Sequence, residues 1–276
     1  MMNKIFSISI LAIFACLLVK PSTVTAQQQC AIENNFFQAG ENLTYDLYIK
    51  LGITVKGGYA NLSTRSVQYD GKDAYKMTLV SESQGLARKA FELNDTLACF
   101  MTKDLIPLAY HKDAHEGGDH TIERQKYSYS GNTVKINSVR HKNGEFKFDE
   151  NLEFSSCAYD LMSILFYART LDYENMTKGA ERTVNFVSGK KKVSMRIVYD
   201  GKDQMKANDG KKYNCMKLTL YIHDEAFDGG KEAMKVYISD DANRLPIRLD
   251  TKLKVGSTRA VLKSYKGNRH PLNVAR

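Results

Sequence analysis

Apolar residues fall at every second position in one run after another of this 276-residue chain. Leu43, Tyr45, Leu47, Ile49 and Leu51 alternate with Asn42, Thr44, Asp46 and Lys50. The same period returns in Tyr75, Met77 and Leu79, in Val193 to Tyr199, in Met216 to Ile222 and in Met234 to Ile238. A period of two places each apolar set on one face of a strand, so that one face is buried and the other meets water. Dipeptides ending in Gly punctuate these runs: Asp70-Gly71, Asn143-Gly144, Asp200-Gly201, Asp209-Gly210 and Asp228-Gly229, with Ser130-Gly131 and Gly256-Ser257 as weaker signals. Such pairs tolerate the positive φ of tight hairpin turns. Short strands joined in this way form an antiparallel meander. A dozen or so of them must curl, split or close to manage twist and edges. The expected fold is therefore all-β and mainly antiparallel: a large curved meander sheet, barrel-like or half-barrel.

One segment breaks the period. From Ala158 to about Leu171, Leu161, Ile164, Leu165 and Ala168 recur at spacings of three and four, which marks one face of a central helix. Ser155 or Ser156 is placed to cap it, and Asp160 in its first turn suits the positive end of the dipole. No Pro-, Gly- or Ser-rich linker divides the chain, so residues 27–276 read as a single β-rich domain; a boundary near 171–178 between two halves is the alternative.

The first 26 residues read as a cleaved secretory signal peptide. Lys4 supplies the charged region, Ile5 to Val19 the apolar run, and Val24-Thr25-Ala26 a small-residue cleavage site. Ile13-Phe14-Ala15-Cys16 has the order of a lipoprotein signal, but Phe14 is bulky for that site and the apolar run continues beyond Cys16. The run is also shorter than the roughly 20 residues a membrane span needs. The expected location is outside the cytoplasm, in the periplasm or outer cell envelope, with no transmembrane segment after cleavage.

Beyond the leader, 38 basic residues face 31 acidic ones, a formal charge of +7. The basic residues are spread along the chain and not gathered with exposed aromatics, which argues against nucleic acid as a partner. A diffuse positive field suits weak attraction to anionic envelope components. Four cysteines remain after cleavage: Cys30, Cys99, Cys157 and Cys215. In an oxidising compartment an even number suggests two disulfides of unassigned pairing. The alternative is buried thiols, since Cys99 alternates with Leu97 and Met101 on what reads as an inner strand face.

Three separated motifs carry a family resemblance: Phe37-Gln38-Ala39-Gly40-Glu41-Asn42-Leu43-Thr44-Tyr45, then Tyr159-Asp160-Leu161-Met162-Ser163 with Arg169, then Ser239-Asp240-Asp241 with Arg244-Leu245-Pro246-Ile247-Arg248. In this order, from about Phe36 to Lys266, the chain resembles the exported bacterial family known as domain of unknown function 3108. Tyr237 stands where that family often has Trp. The resemblance implies a bacterial envelope protein with a large antiparallel β fold, and no activity.

The sharpest local chemistry is Tyr110-His111-Lys112-Asp113-Ala114-His115-Glu116-Gly117-Gly118-Asp119-His120. A two-residue turn at Gly117-Gly118 sets His115 opposite His120, with Asp113 and His111 on the same face. Opposed Cβ atoms about 5 Å apart would let two imidazoles share a zinc ion. His111, Asp113, His115 and His120 are therefore the candidate metal ligands, and a metal-assisted hydrolase at this hairpin is the alternative function. An exposed, chemically idle hairpin tip is the competing account. Asp240-Asp241 reads as a turn with Arg244 as its surface partner, because adjacent strand residues point to opposite faces. Asp95-Thr96-Leu97 resembles a short O-glycosylation acceptor. No nucleophile elbow or phosphate-cradling loop is present, and no catalytic residue is assigned. The leading expectation is a binding or structural module for an envelope glycan, lipid or protein. An interior cavity in the curved sheet would separate a binder from a merely packed core.

Overall fold

The computed structural model describes residues 30–222, 232–252 and 256–275. They form fifteen strands: β1 (Asn42–Leu51), β2 (Ile53–Tyr69), β3 (Lys72–Ser83), β4 (Leu93–Thr102), β5 (Pro107–Glu116), β6 (Asp119–Ser130), β7 (Thr133–Lys142), β8 (Glu145–Phe154), β9 (Ala158–Tyr159), β10 (Glu181–Ser188), β11 (Lys191–Lys206), β12 (Lys212–Ile222), β13 (Glu232–Ser239), β14 (Pro246–Lys252) and β15 (Ser257–Lys266). Two short helices interrupt them, α1 (Gly85–Ala90) and α2 (Ser163–Arg169). The leader, Cys16 and the Asp228-Gly229 turn lie outside the described residues.

All fifteen strands share one sheet. Its order runs from β8 down to β1 and then from β15 down to β9, so every pair is formed by sequence neighbours except β1 with β15, and the consecutive β8 and β9 stand at the two edges. That junction is antiparallel, from Asn42 opposite Lys266 to Lys50 opposite Ser257, and it unites the two halves of the chain. Every ladder is antiparallel apart from the two-residue pairing of β9 with β10. The sheet curls into a nearly closed barrel. Its two edges meet along a seam where Val187 of β10 shares a cluster with Leu152 and Phe154 of β8. There Ser138 Oγ donates to the Gly189 carbonyl at 2.8 Å, and the Lys192 ammonium lies 5.3 Å from the centre of the Phe154 ring.

The interior is filled by the alternating residues. Leu43, Tyr45, Leu62, Met77, Leu97, Leu262 and their neighbours form one cluster, and Val184, Ile197, Leu218 and Val236 belong to a second. The central helix links the two: Met162 and Phe166 pack into the first, Ile164 and Ala168 into the second. The helix is shorter than its periodicity suggests. Ala158 and Tyr159 are spent pairing with Asn185 and Phe186 of β10, and Leu161 is 40% exposed. The cap is Asp160, not Ser155 or Ser156. Asp160 Oδ1 accepts the N–H groups of Met162 and Ser163 at 2.8 and 2.9 Å, and Ser163 Oγ accepts the Asp160 N–H at 2.9 Å. This is the reciprocal arrangement of a capping box.

Two further expectations are corrected. Asp200-Gly201 is no turn: it lies inside β11, where the register with β12 slips between Tyr199 and Gly201 as a bulge. The positive φ that Gly permits serves bulges as well as hairpins. Among the described residues one disulfide forms, Cys30–Cys157, with Cα atoms 5.4 Å apart. Cys99 and Cys215 are free and buried in the barrel core, each behaving as a small apolar side chain, and burial pushes the Cys215 thiol up to about 12.

Candidate functional site

At one end of the barrel the packing stops short. A cavity of about 740 Å³ is lined by residues of β14, β15 and β1 to β5, with Leu165 of the central helix on its inner wall. Its surface is mainly aliphatic and aromatic: Leu47, Ile49, Ala60, Leu62, Leu79 and Leu249 among others. Gly57 keeps the wall thin, since a Cβ there would stand 2.8 Å from the Ile49 side chain. Around the mouth lie the β1–β2 turn and α1. Of the six large apolar side chains exposed among the described residues, four sit there: Ile53, Val55, Leu86 and Phe91. Val55 and Phe91 also line the cavity, so exposed and enclosed apolar surface is continuous.

The charged lining residues are all acids: Glu82, Asp95 and Glu116. Asp95, on β4, is 6% exposed, and its Oδ1 has no hydrogen-bond partner. Burial, and then the nearby Glu116, push its carboxyl up to about 7. Lys112 Nζ bonds both oxygens of Glu116 at 3.4 Å. The sequence signalled this wall only through strand alternation. Asp95 was visible within a glycosylation-like tripeptide, and nothing local shows that β4 and β5 bring Asp95 beside Glu116.

The hairpin of β5 and β6 stands at the same end, with its metal-ligand candidates on the outer surface. Gly117 and Gly118 have φ of 59° and 93°, and His115 pairs directly with His120. Donor atoms of Asp113, His115 and His120 lie within 4.8 Å of one another. His120 Nε2 is 2.8 Å from Asp113 Oδ1, and the two imidazoles stack with centroids 4.0 Å apart. His111 stands apart from this triple, edge-on to Phe100 at 5.1 Å.

The three resemblance motifs converge elsewhere, in solid core. Arg169 Nη1 and Nη2 donate to Glu41 Oε1 and Oε2 at 2.6 and 2.8 Å, and Nη2 also donates to the Asn243 carbonyl at 2.8 Å. Both charged side chains are essentially inaccessible. Asp160 does not pair with Arg169; its second oxygen accepts from Ser163 Oγ at 2.8 Å and Tyr127 Oη at 3.3 Å. Asp241 Oδ1 takes the N–H groups of Asn243 and Arg244, which confirms the turn. Arg244 is no surface partner of that turn, however. It folds inward onto the carbonyls of Arg169 and Leu171 at 3.0 and 2.6 Å, with its guanidinium over the Phe36 ring. These residues tie the segment before β1 and the β13–β14 turn to the helix.

The family model described as Protein of unknown function (DUF3108) matches residues 44–263. Among solved structures the fold is similar to the beta-barrel-like protein of domain of unknown function DUF1849 from Brucella abortus. That likeness has a TM-score of 0.57 and 12% identity, and covers 84% of this chain and 98% of the other. A candidate lipoprotein from Parabacteroides distasonis aligns over 87% of this chain and 100% of its own at 13% identity, with a TM-score of 0.34. None of the curated proteins matches the chain.

Proposed function

Because the chain belongs to the DUF3108 family of proteins of unknown function, which offers no activity to carry over, we propose a role from the cavity: an exported module that binds the apolar part of an envelope lipid. The observation that carries this reading is the 740 Å³ apolar cavity, open beside exposed Ile53, Val55, Leu86 and Phe91. Its size lies in the range of small-molecule sites, roughly 300 to 1,000 Å³, and its lining suits an acyl chain better than a glycan. The Cys30–Cys157 disulfide supports export, since such bonds persist in oxidising compartments. Among the described residues no helix is long and apolar enough to cross a membrane. Native mass spectrometry of protein purified gently from its own envelope tests the role. A bound lipid in the wild type, lost in a folded Leu79→Trp variant that fills the cavity, is the expected result. A wild-type chain that stays empty and takes up no added lipid overturns it.

A second reading concerns the outer face of the β5–β6 hairpin, where Asp113, His115 and His120 could share a transition metal. The opposed imidazoles favour zinc or a related ion. Titration calorimetry with Zn²⁺ should give one site per chain, abolished in His115→Ala. Equal binding by that variant excludes the hairpin.

A further inference from the structure

We propose that the cavity selects a long-chain amphiphile with a hydrogen-bond-donating head, a protonated amine above all, and that Asp95 and Glu116 receive that head. This deepens the lipid-binding reading and rests on it. Three observations meet at one place. Asp95 is almost wholly buried and faces the cavity, yet Oδ1 accepts nothing from the protein. A buried carboxylate oxygen without a donor is costly, and a ligand donor placed there recovers the lost interaction. The lining also holds no cation: its charged members are Glu82, Asp95 and Glu116. The Lys112 ammonium, whose charge acts on Asp95, is engaged with Glu116 and does not bond Asp95 Oδ1. Such a wall repels a fatty-acid carboxylate or a phosphate head and attracts an ammonium group.

The position fits the length of an amphiphile. Glu116 ends β5 beside the Gly117-Gly118 turn, and Asp95 is the third residue of β4, so both acids stand at the rim end of the cavity. Leu62, Leu79 and Leu165 line its remainder and would take the tail. The head would thus rest near the mouth and the chain would run inward. A cationic head would also restore Asp95 to the ionised state that burial and the neighbouring Glu116 disfavour.

The test is displacement of an apolar fluorescent probe from the mature protein at pH 7.5 by dodecylamine, dodecanol and dodecanoate, each below its micelle concentration. The amine should bind tightest, about tenfold or more above the carboxylate, the ratio expected of one charge-assisted hydrogen bond. Asp95→Asn, which keeps size and shape, should cut amine affinity about tenfold and leave dodecanol within twofold. Glu116→Gln should lower amine affinity in the same direction. Carboxylate binding equal to or tighter than the amine, or an unchanged order in Asp95→Asn, overturns the head-group assignment while leaving the lipid cavity intact. Failure of all three ligands to bind overturns the cavity reading itself. Circular dichroism of both variants separates lost recognition from lost fold.

Discussion

At the scale of single residues, buried charge separates structure from function. Arg169 and Glu41 are sealed from water and meet two-to-two, with the guanidinium 4.8 Å from the centre of the Phe37 ring. Removing one partner strands the other in a medium that cannot solvate it. Arg169→Met should therefore cost about 3 to 5 kcal/mol in urea denaturation, by the behaviour of broken buried pairs. A loss under 1 kcal/mol would show that the pair is not sealed. Asp95 is the opposite case, a buried acid of which one oxygen, Oδ1, is left without a donor. Its carboxyl is held up near 7 by burial and by Glu116, with Lys112 acting against them and Glu82 on the same cavity wall. Between its ordinary value and 7 the folded chain binds a proton that the unfolded chain releases, so stability falls as pH rises across that window. Asp95→Asn should match the wild type near pH 4 and exceed it by about 2 kcal/mol at pH 8, with solvent screening included. Thermal denaturation at the two pH values checks this. Sequence named Arg169 through its motif but could not find its partner 128 positions away. It met Asp95 only within a glycosylation-like tripeptide, because between Asn94 and Thr96 the acid reads as part of an exposed polar stretch until burial is known.

Individual elements were legible where period and turn chemistry agree. The runs from Leu43, Val193 and Met216 became β1, β11 and β12, and the Gly117-Gly118 hairpin put His115 opposite His120. Legibility failed where two structures compete for the same residues. Ala158 and Tyr159 fit a helical pattern, but β10 offers them ladder hydrogen bonds, and the helix begins only after Asp160. The short α1 lacks the length for a period to register. Gly57 and Gly58 carry an element-scale meaning that composition hides. Gly57 is the extra residue where β2 slips against β1, between the Leu47–Gly58 and Tyr48–Lys56 pairs. At Gly58 a Cβ would stand 1.9 Å from the Glu82 carbonyl oxygen, so the two backbones meet there without room for any side chain. Gly58→Ala should separate β2 from β3 and cost more than about 2 kcal/mol. Gly71→Ala, in open space with φ of 73°, should cost about 1 kcal/mol from its positive φ. Chemical denaturation of the two variants side by side gives the comparison. Equal costs would mean that β2 and β3 part easily at this point.

For the molecule as a whole, the barrel divides its tasks around the circumference. Cavity walls come from β14, β15 and β1 to β5, while the sheet edges meet on another side, where β8 faces β10. The disulfide belongs to the seam: Cys30 and Cys157 pack in the cluster that holds Leu152, Phe154 and Val187. It ties the segment before β1 to the connection after β8 and closes a loop over a separation of 127 residues. A crosslink of that span restricts the unfolded chain by about 4 to 5 kcal/mol in the chain-entropy account. Cys157→Ser should accordingly lower the melting temperature by about 10 °C, given the few degrees that each kcal/mol moves a domain of this size. Hydrogen exchange should rise first in β8 and β10, where the edges lose their staple, and later in β1 and β15, each paired on both sides. Ligand affinity of the cavity should stay within twofold, because none of its lining residues belongs to the disulfide cluster. The three readings decide among distinct structures. A lowered melting temperature with intact binding means that the seam closes a barrel whose binding half is already rigid. Lost binding on removal of the disulfide would mean that closure at the seam sets the shape of the cavity, and that the curved sheet acts as a single spring.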